Sequence, residues 1–204
     1  MNIYDLKLKA KDILNEKFSV YWKGAIIVYL LSFIFSSLIS WLLGNSRADG
    51  LIGTLFSTIL IAPLYLGLSI FLLKLVRGEE CSIGDVYKGF GKTWPVVCLV
   101  ILVDIFVSLW SLLLIIPGIV AAFSYSQSML IMADKDLGAM ESIDKSKQMM
   151  NGHKWEFFGL NLSFIGWILL CAITFGIACI YVVPYMQITN TLYYEQLKLE
   201  KDKM

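Results

Sequence analysis

Residues 94–134 read WPVVCLVILVDIFVSLWSLLLIIPGIVAAFSYSQSMLIMAD. An apolar run, Pro95–Ile116, meets a break at Pro117-Gly118 and is followed by a second apolar run, Ile119–Ala133. Trp94 stands before the pair and Asp134-Lys135 after it. A helix needs about 20 apolar residues, rising about 1.5 Å each, to cross about 30 Å of hydrocarbon. The stretch therefore reads as a membrane hairpin, with a second arm of 15 residues that is short for a full crossing.

Two similar units flank it, and a repeated unit fixes an architecture. Each has an amphipathic segment, a tryptophan (Trp22, Trp94, Trp155), a span, a turn and a span. The first unit offers Gly24–Leu43 and Leu51–Leu73, joined by a turn-rich loop over residues 44–50. The last offers Phe157–Ile173, a turn at Thr174-Phe-Gly176, Ile177–Leu192 and a charged tail over residues 193–204. The expected fold is an all-α membrane protein with six transmembrane helices as three hairpins, at residues 1–75, 76–134 and 135–204 of a single integral membrane domain. A cytoplasmic interfacial amphipathic helix is expected before each hairpin. In residues 1–23, Ile3, Leu6, Ala10, Ile13 and Leu14 take one face, and Lys7, Lys9, Lys11 and Asp12 the other. Ser82-Ile-Gly-Asp85 reads as a helix start in the second unit, and Ala139, Met140, Ile143, Met149 and Met150 fall on one face in the third.

Composition agrees with this class. The chain is 58% hydrophobic and 16% charged, where soluble domains run at about 45–50% and about 25%. Of the 17 Lys and Arg, 16 fall on one side of a six-span layout, Arg47 being the exception. The positive-inside rule then puts both termini in the cytoplasm. Four cysteines (Cys81, Cys98, Cys171, Cys179) show no ligand-like spacing and read as buried free thiols, with a Cys171–Cys179 pair as the alternative.

The stretch Trp110-Ser-Leu-Leu-Leu-Ile-Ile-Pro-Gly118 resembles a bacterial membrane family known as domain of unknown function 975. Further similar positions are Tyr125, Ala139-Met-Glu-Ser-Ile143, Ser146-Lys147, Gly152-His-Lys154, Leu162–Trp167, Thr174, Gly176, Pro184-Tyr185 and Tyr194-Glu195. Upstream, Arg77-Gly-Glu-Glu80 and Lys7, Ala10, Lys11 and Leu14 also look similar. The resemblance covers most of the chain and is weakest over residues 24–60. It implies a multi-pass protein of a bacterial plasma membrane and assigns no activity.

Asp104 is the sharpest candidate for chemistry, because a carboxylate near the bilayer middle costs about 2.5–3.5 kcal/mol or more. Ser108 and Ser111 continue its helical face, and Ser124, Gln127 and Ser128 on the facing arm offer donors. Two readings follow, a proton or cation relay and a hydrogen-bonded Asp that locks two helices. His153, the one histidine, stands with Lys154 and Trp155 at an expected membrane edge, where a headgroup contact competes with a structural role. Tyr185, Gln187, Asn190 and Thr191, late in the last span, read as an inter-helix contact.

No Gly-rich phosphate loop, HExxH, G-x-S-x-G or Cys-His cluster occurs, so no cofactor or metal is expected. Basic residues are interleaved with acids beside spans, which argues against nucleic acid. The favoured reading is a non-enzymatic membrane protein whose partners are the bilayer, anionic headgroups and other membrane proteins or itself. A small transporter using Asp104 and a lipid-modifying enzyme are the alternatives.

Overall fold

The computed structural model describes residues 3–43 and 47–202. Their apolar runs form ten α-helices: α1 Ile3–Leu43, α2 Arg47–Arg77, α3 Ile83–Tyr87, α4 Thr93–Leu113, α5 Ile115–Tyr125, α6 Ser128–Lys135, α7 Ala139–Met149, α8 Lys154–Leu162, α9 Ile165–Ile173 and α10 Cys179–Asp202. A 3₁₀ turn, Lys88–Lys92, joins α3 to α4. Ser82 and Asp85 cap α3 reciprocally. The Gly84 N–H donates to Ser82 Oγ at 3.2 Å, and the Ser82 N–H donates to Asp85 Oδ2 at 2.9 Å.

The core lies at the end of the bundle where α1 begins and α10 finishes. Leu6, Ala10, Leu14, Tyr21, Ala25 and Val28 form a fully buried stripe on α1. In the same core are Leu64, Leu68 and Phe71 of α2, Phe157 and Leu160 of α8, and Tyr193 and Leu197 of α10. Burying a large apolar side chain contributes about 1.5–3 kcal/mol. At the helix tips the character reverses: Trp41 on α1, Leu112, Leu114, Ile115 and Ile116 at the α4–α5 tip and Phe175 beyond α9 stand open. Phe175 is 99% exposed. Large exposed apolar patches occur where a protein meets a membrane or another protein. Five helical stretches are long and apolar enough to cross: Ile3–Trp41, Phe56–Arg77, Ile83–Leu112, Ile115–Lys135 and Lys154–Ile173. The expected sixth is not among them, since α10 carries Gln187, Thr189, Asn190 and Thr191 and then a charged end.

Several local expectations give way. The central hairpin turns at Leu114 (φ −161°, ψ 143°), not at Pro117-Gly118. Pro117 sits in the first turn of α5, where a missing N–H costs nothing. Gly118 serves close packing, because a Cβ there would lie 2.2 Å from Ser111 Oγ. The second arm is broken at Ser126-Gln127, and the last hairpin's first arm is broken between α8 and α9. α1 is two helices that meet at a kink at Lys17 (φ −113°, ψ 22°), and the apolar face of the first, with Leu6, Ala10 and Leu14, packs against protein. Residues 44–46 of the expected loop lie outside the described residues, and Arg47 already begins α2. The expected charged tail is the helical end of α10, with Tyr194 and Leu197 buried. The turn over Thr174–Gly176 is present, with φ of 50° at Phe175 and 88° at Gly176. All four cysteines are free thiols but none is buried as expected, Cys98 being exposed and Cys81, Cys171 and Cys179 half-buried.

Candidate functional site

Charged side chains pull α2, α6 and α10 together at the core end. Asp134 sits at the end of α6 with its side chain 6% exposed. Arg77 Nη2 donates to Asp134 Oδ1 at 2.6 Å and also to Glu195 Oε1 at 2.6 Å. Lys198 Nζ donates to Asp134 Oδ2 at 2.6 Å, and the Tyr194 hydroxyl donates to the same oxygen at 2.8 Å. Burial, and then the bond to Asp134, push the Tyr194 phenol above its ordinary range, so it stays a neutral donor. Sequence reasoning treated Asp134 only as the end of a span. The signal available was an acid closing one apolar run and Tyr194, Glu195 and Lys198 within one turn of another. A second buried acid, Asp85, accepts from Lys74 at 2.9 Å and Lys88 at 2.6 Å.

Beside this clasp, a slot of about 460 Å³ runs between α5 and the start of α8. Ile116, Ile119, Val120 and Phe123 form its apolar wall, and Asn151, Gly152, Lys154, Trp155 and Phe158 form the other side. Gly152 takes φ +88°, which lets the chain turn sharply into α8. Trp155 is 82% exposed and stacks edge-on to Phe158 at 5.8 Å, and Phe158 lies 6.0 Å from Phe123. Lys154 and Trp155 thus line one feature, while His153 does not. Its Nδ1 is 2.9 Å from Glu156 Oε2 and its Nε2 is 3.8 Å from Glu200 Oε2, which ties the start of α8 to α10. Asn151 and the α5 wall could not be anticipated, because nothing local in the sequence pairs α5 with α8.

The slot and most of the clasp fall within residues 112–201, and that stretch matches a family model. The model is that of the family described as Protein of unknown function (DUF975), and it covers residues 112–201. No curated protein and no solved structure matches the chain. The family stretch contains Asp134, Tyr194, Glu195 and the whole slot, whereas Arg77 and Asp104 precede it.

Asp104 lies midway along α4, exposed, over a hollow lined by Val107, Ala122, Tyr125, Ser126 and Ser128. The expected cluster around it is divided. Ser124 Oγ donates to Val120 O at 2.7 Å, and Ser124 O accepts from Ser146 Oγ at 2.8 Å. The Gln127 N–H donates to Ser146 Oγ at 3.2 Å. Both residues are therefore buried against α7 and turned from Asp104. Ser108 and Ser111 stay exposed on α4. Among the described residues Asp104 makes no hydrogen bond or ion pair, so it does not lock two helices. Asp104→Leu is accordingly expected to raise stability in a bilayer by about 2.5–3.5 kcal/mol. Thermal unfolding in nanodiscs reads this, and a lowered midpoint would mean the carboxyl carries a bond.

Gln187 acts as an inter-helix contact. Tyr21 OH donates to Gln187 Oε1 at 2.9 Å, and Gln187 Nε2 donates to Tyr29 OH at 3.1 Å, fastening α10 to α1. Asn190 and Thr191 line a cavity of about 480 Å³ with Ile61, Tyr65 and Ser69 of α2 and Met129 of α6. Its lining holds no charged residue.

Proposed function

We propose that this protein is a non-enzymatic multi-pass integral membrane protein that works by holding lipid at the slot between α5 and α8. The observation that supports the reading is the slot's division into an apolar wall on α5 and a rim of Asn151, Lys154 and an open Trp155. An acyl chain matches the wall. A headgroup phosphate matches a lysine ammonium and a side-chain amide, and a tryptophan is at home at headgroup level. His153 is bound to carboxylates and has no nucleophile within its hydrogen bonds, which weighs against a lipid-modifying centre. The proposal extends to topology: α10 makes the sixth crossing despite its polar residues, so that three hairpins in a bacterial plasma membrane leave both termini and the clasp on the cytoplasmic side.

Two variants test it. Val120→Trp fills the slot from a half-open position and is expected to remove a lipid that survives purification, as counted by native mass spectrometry. Lys154→Gln is expected to lower retention of anionic lipid about fivefold, since one lysine near an anionic surface contributes about 1 kcal/mol. Wild-type lipid counts in both variants would sink the reading. A changed bulk lipid composition in cells lacking the protein would favour the enzymatic alternative.

A further inference from the structure

A second basic feature lies on the other side of α6. Lys135 from α6, Lys145 from α7 and Lys201 from α10 converge on a hollow of about 280 Å³ with Ile131 and Met149 in its wall. Ile131 is 1% exposed and Met149 8%, so the base of the hollow is fixed core and not mobile surface. Lys135 and Lys201 have no acid partner among the described residues, and Lys145 shares Glu141 at 3.2 Å along its own helix. Asp134, the acid next to Lys135, is occupied by Arg77, Lys198 and Tyr194. Lysines in the last turns of α6 and α10 complement the helix dipoles. The dipoles do not account for Lys145, which stands mid-helix, nor for three lysines from three helices lining one hollow. Glu141 offsets one of the three charges, and the hollow is left with a net positive lining that an anion would complement.

We infer that Lys135, Lys145 and Lys201 form a phosphate-binding site. Each ammonium is a compact point charge with three donors, which suits the oxygens of a phosphate that need no bidentate geometry. The phosphate is either that of an acidic lipid headgroup or a free phosphate. The site does not rest on the slot at Lys154, and its variants leave that slot intact.

The experiment has two arms, each comparing wild type with K135Q/K145Q/K201Q and with K9Q/K11Q/K23Q. The second triple removes the same charge from exposed lysines elsewhere. In the first arm, protein in phosphatidylcholine nanodiscs is titrated with inorganic phosphate by calorimetry. In the second, phosphatidylglycerol retained from mixed nanodiscs is counted by native mass spectrometry. Three lysines at about 1 kcal/mol each predict binding about 100-fold weaker in the first triple only. Loss in the phosphatidylglycerol arm alone identifies a headgroup, and loss in both arms a free phosphate. K135R/K145R/K201R keeps the charge and is expected to restore binding, which separates this effect from misfolding. Equal behaviour of the two glutamine triples in both arms would overturn the site.

Discussion

Gly67→Ala is expected to abolish the folded protein. At Gly67 the backbone of α2 meets the backbone of α3. A Cβ there would sit 1.7 Å from Val86 O and 2.6 Å from Val86 C. A reciprocal contact lies nearby, where a Cβ on Gly89 would come 1.9 Å from Pro63 O. No flexible side chain can yield at either place, so α2 must separate from α3 and the 3₁₀ turn. Substitutions that force backbone apart fall at the severe end of single changes, about 4 kcal/mol or more. Gly91→Ala, where a Cβ meets nothing within 4 Å, is the matched control. Size-exclusion profile and unfolding midpoint in detergent read the outcome. A Gly67→Ala protein that elutes and melts like wild type would show that this contact is not formed.

Asp134→Asn should follow it in severity, with a loss of about 2–4 kcal/mol. Removing one member of a buried charge pair costs about 3–5 kcal/mol. The lower figure reflects partners that still reach water, since the Arg77 and Lys198 side chains are 30% and 26% exposed. Arg77 also keeps Glu195 when Asp134 is lost. A double-mutant cycle with Tyr194→Phe isolates the hydroxyl bond to Asp134, and a coupling energy above about 0.5 kcal/mol is expected. Additive effects, or an Asp134→Asn midpoint equal to wild type, would mean that α2, α6 and α10 are held by packing alone.

Helix content and membrane character were legible because they follow from run length and apolar content, which each segment carries by itself. The helix start at Ser82 was legible for the same reason, its cap partner Asp85 being three residues away. The central turn was misplaced because Pro117-Gly118 has turn chemistry, yet proline is equally suited to a first helical turn, and Leu114 gives no local signal. The end of α10 was misread because Glu195, Lys198, Glu200 and Lys201 hide the apolar spacing of Ile188, Leu192, Tyr193 and Leu197. Of the candidate site, Lys154 and Trp155 stand out from the residues alone, and both line the slot. The set around Asp104 was divided by Ser146, which claims both Ser124 and Gln127 from about twenty residues further on. A competing partner on another helix leaves no mark at the positions it captures.

The core shared by α1 and α10 has a bearing on biosynthesis. Leu6, Ala10 and Leu14 leave the ribosome early, but Tyr193 and Leu197, which complete their enclosure, emerge nearly a whole chain later. Until then only part of that core can form, with α2 as the first partner made. Closure of that core is therefore a late event in biosynthesis.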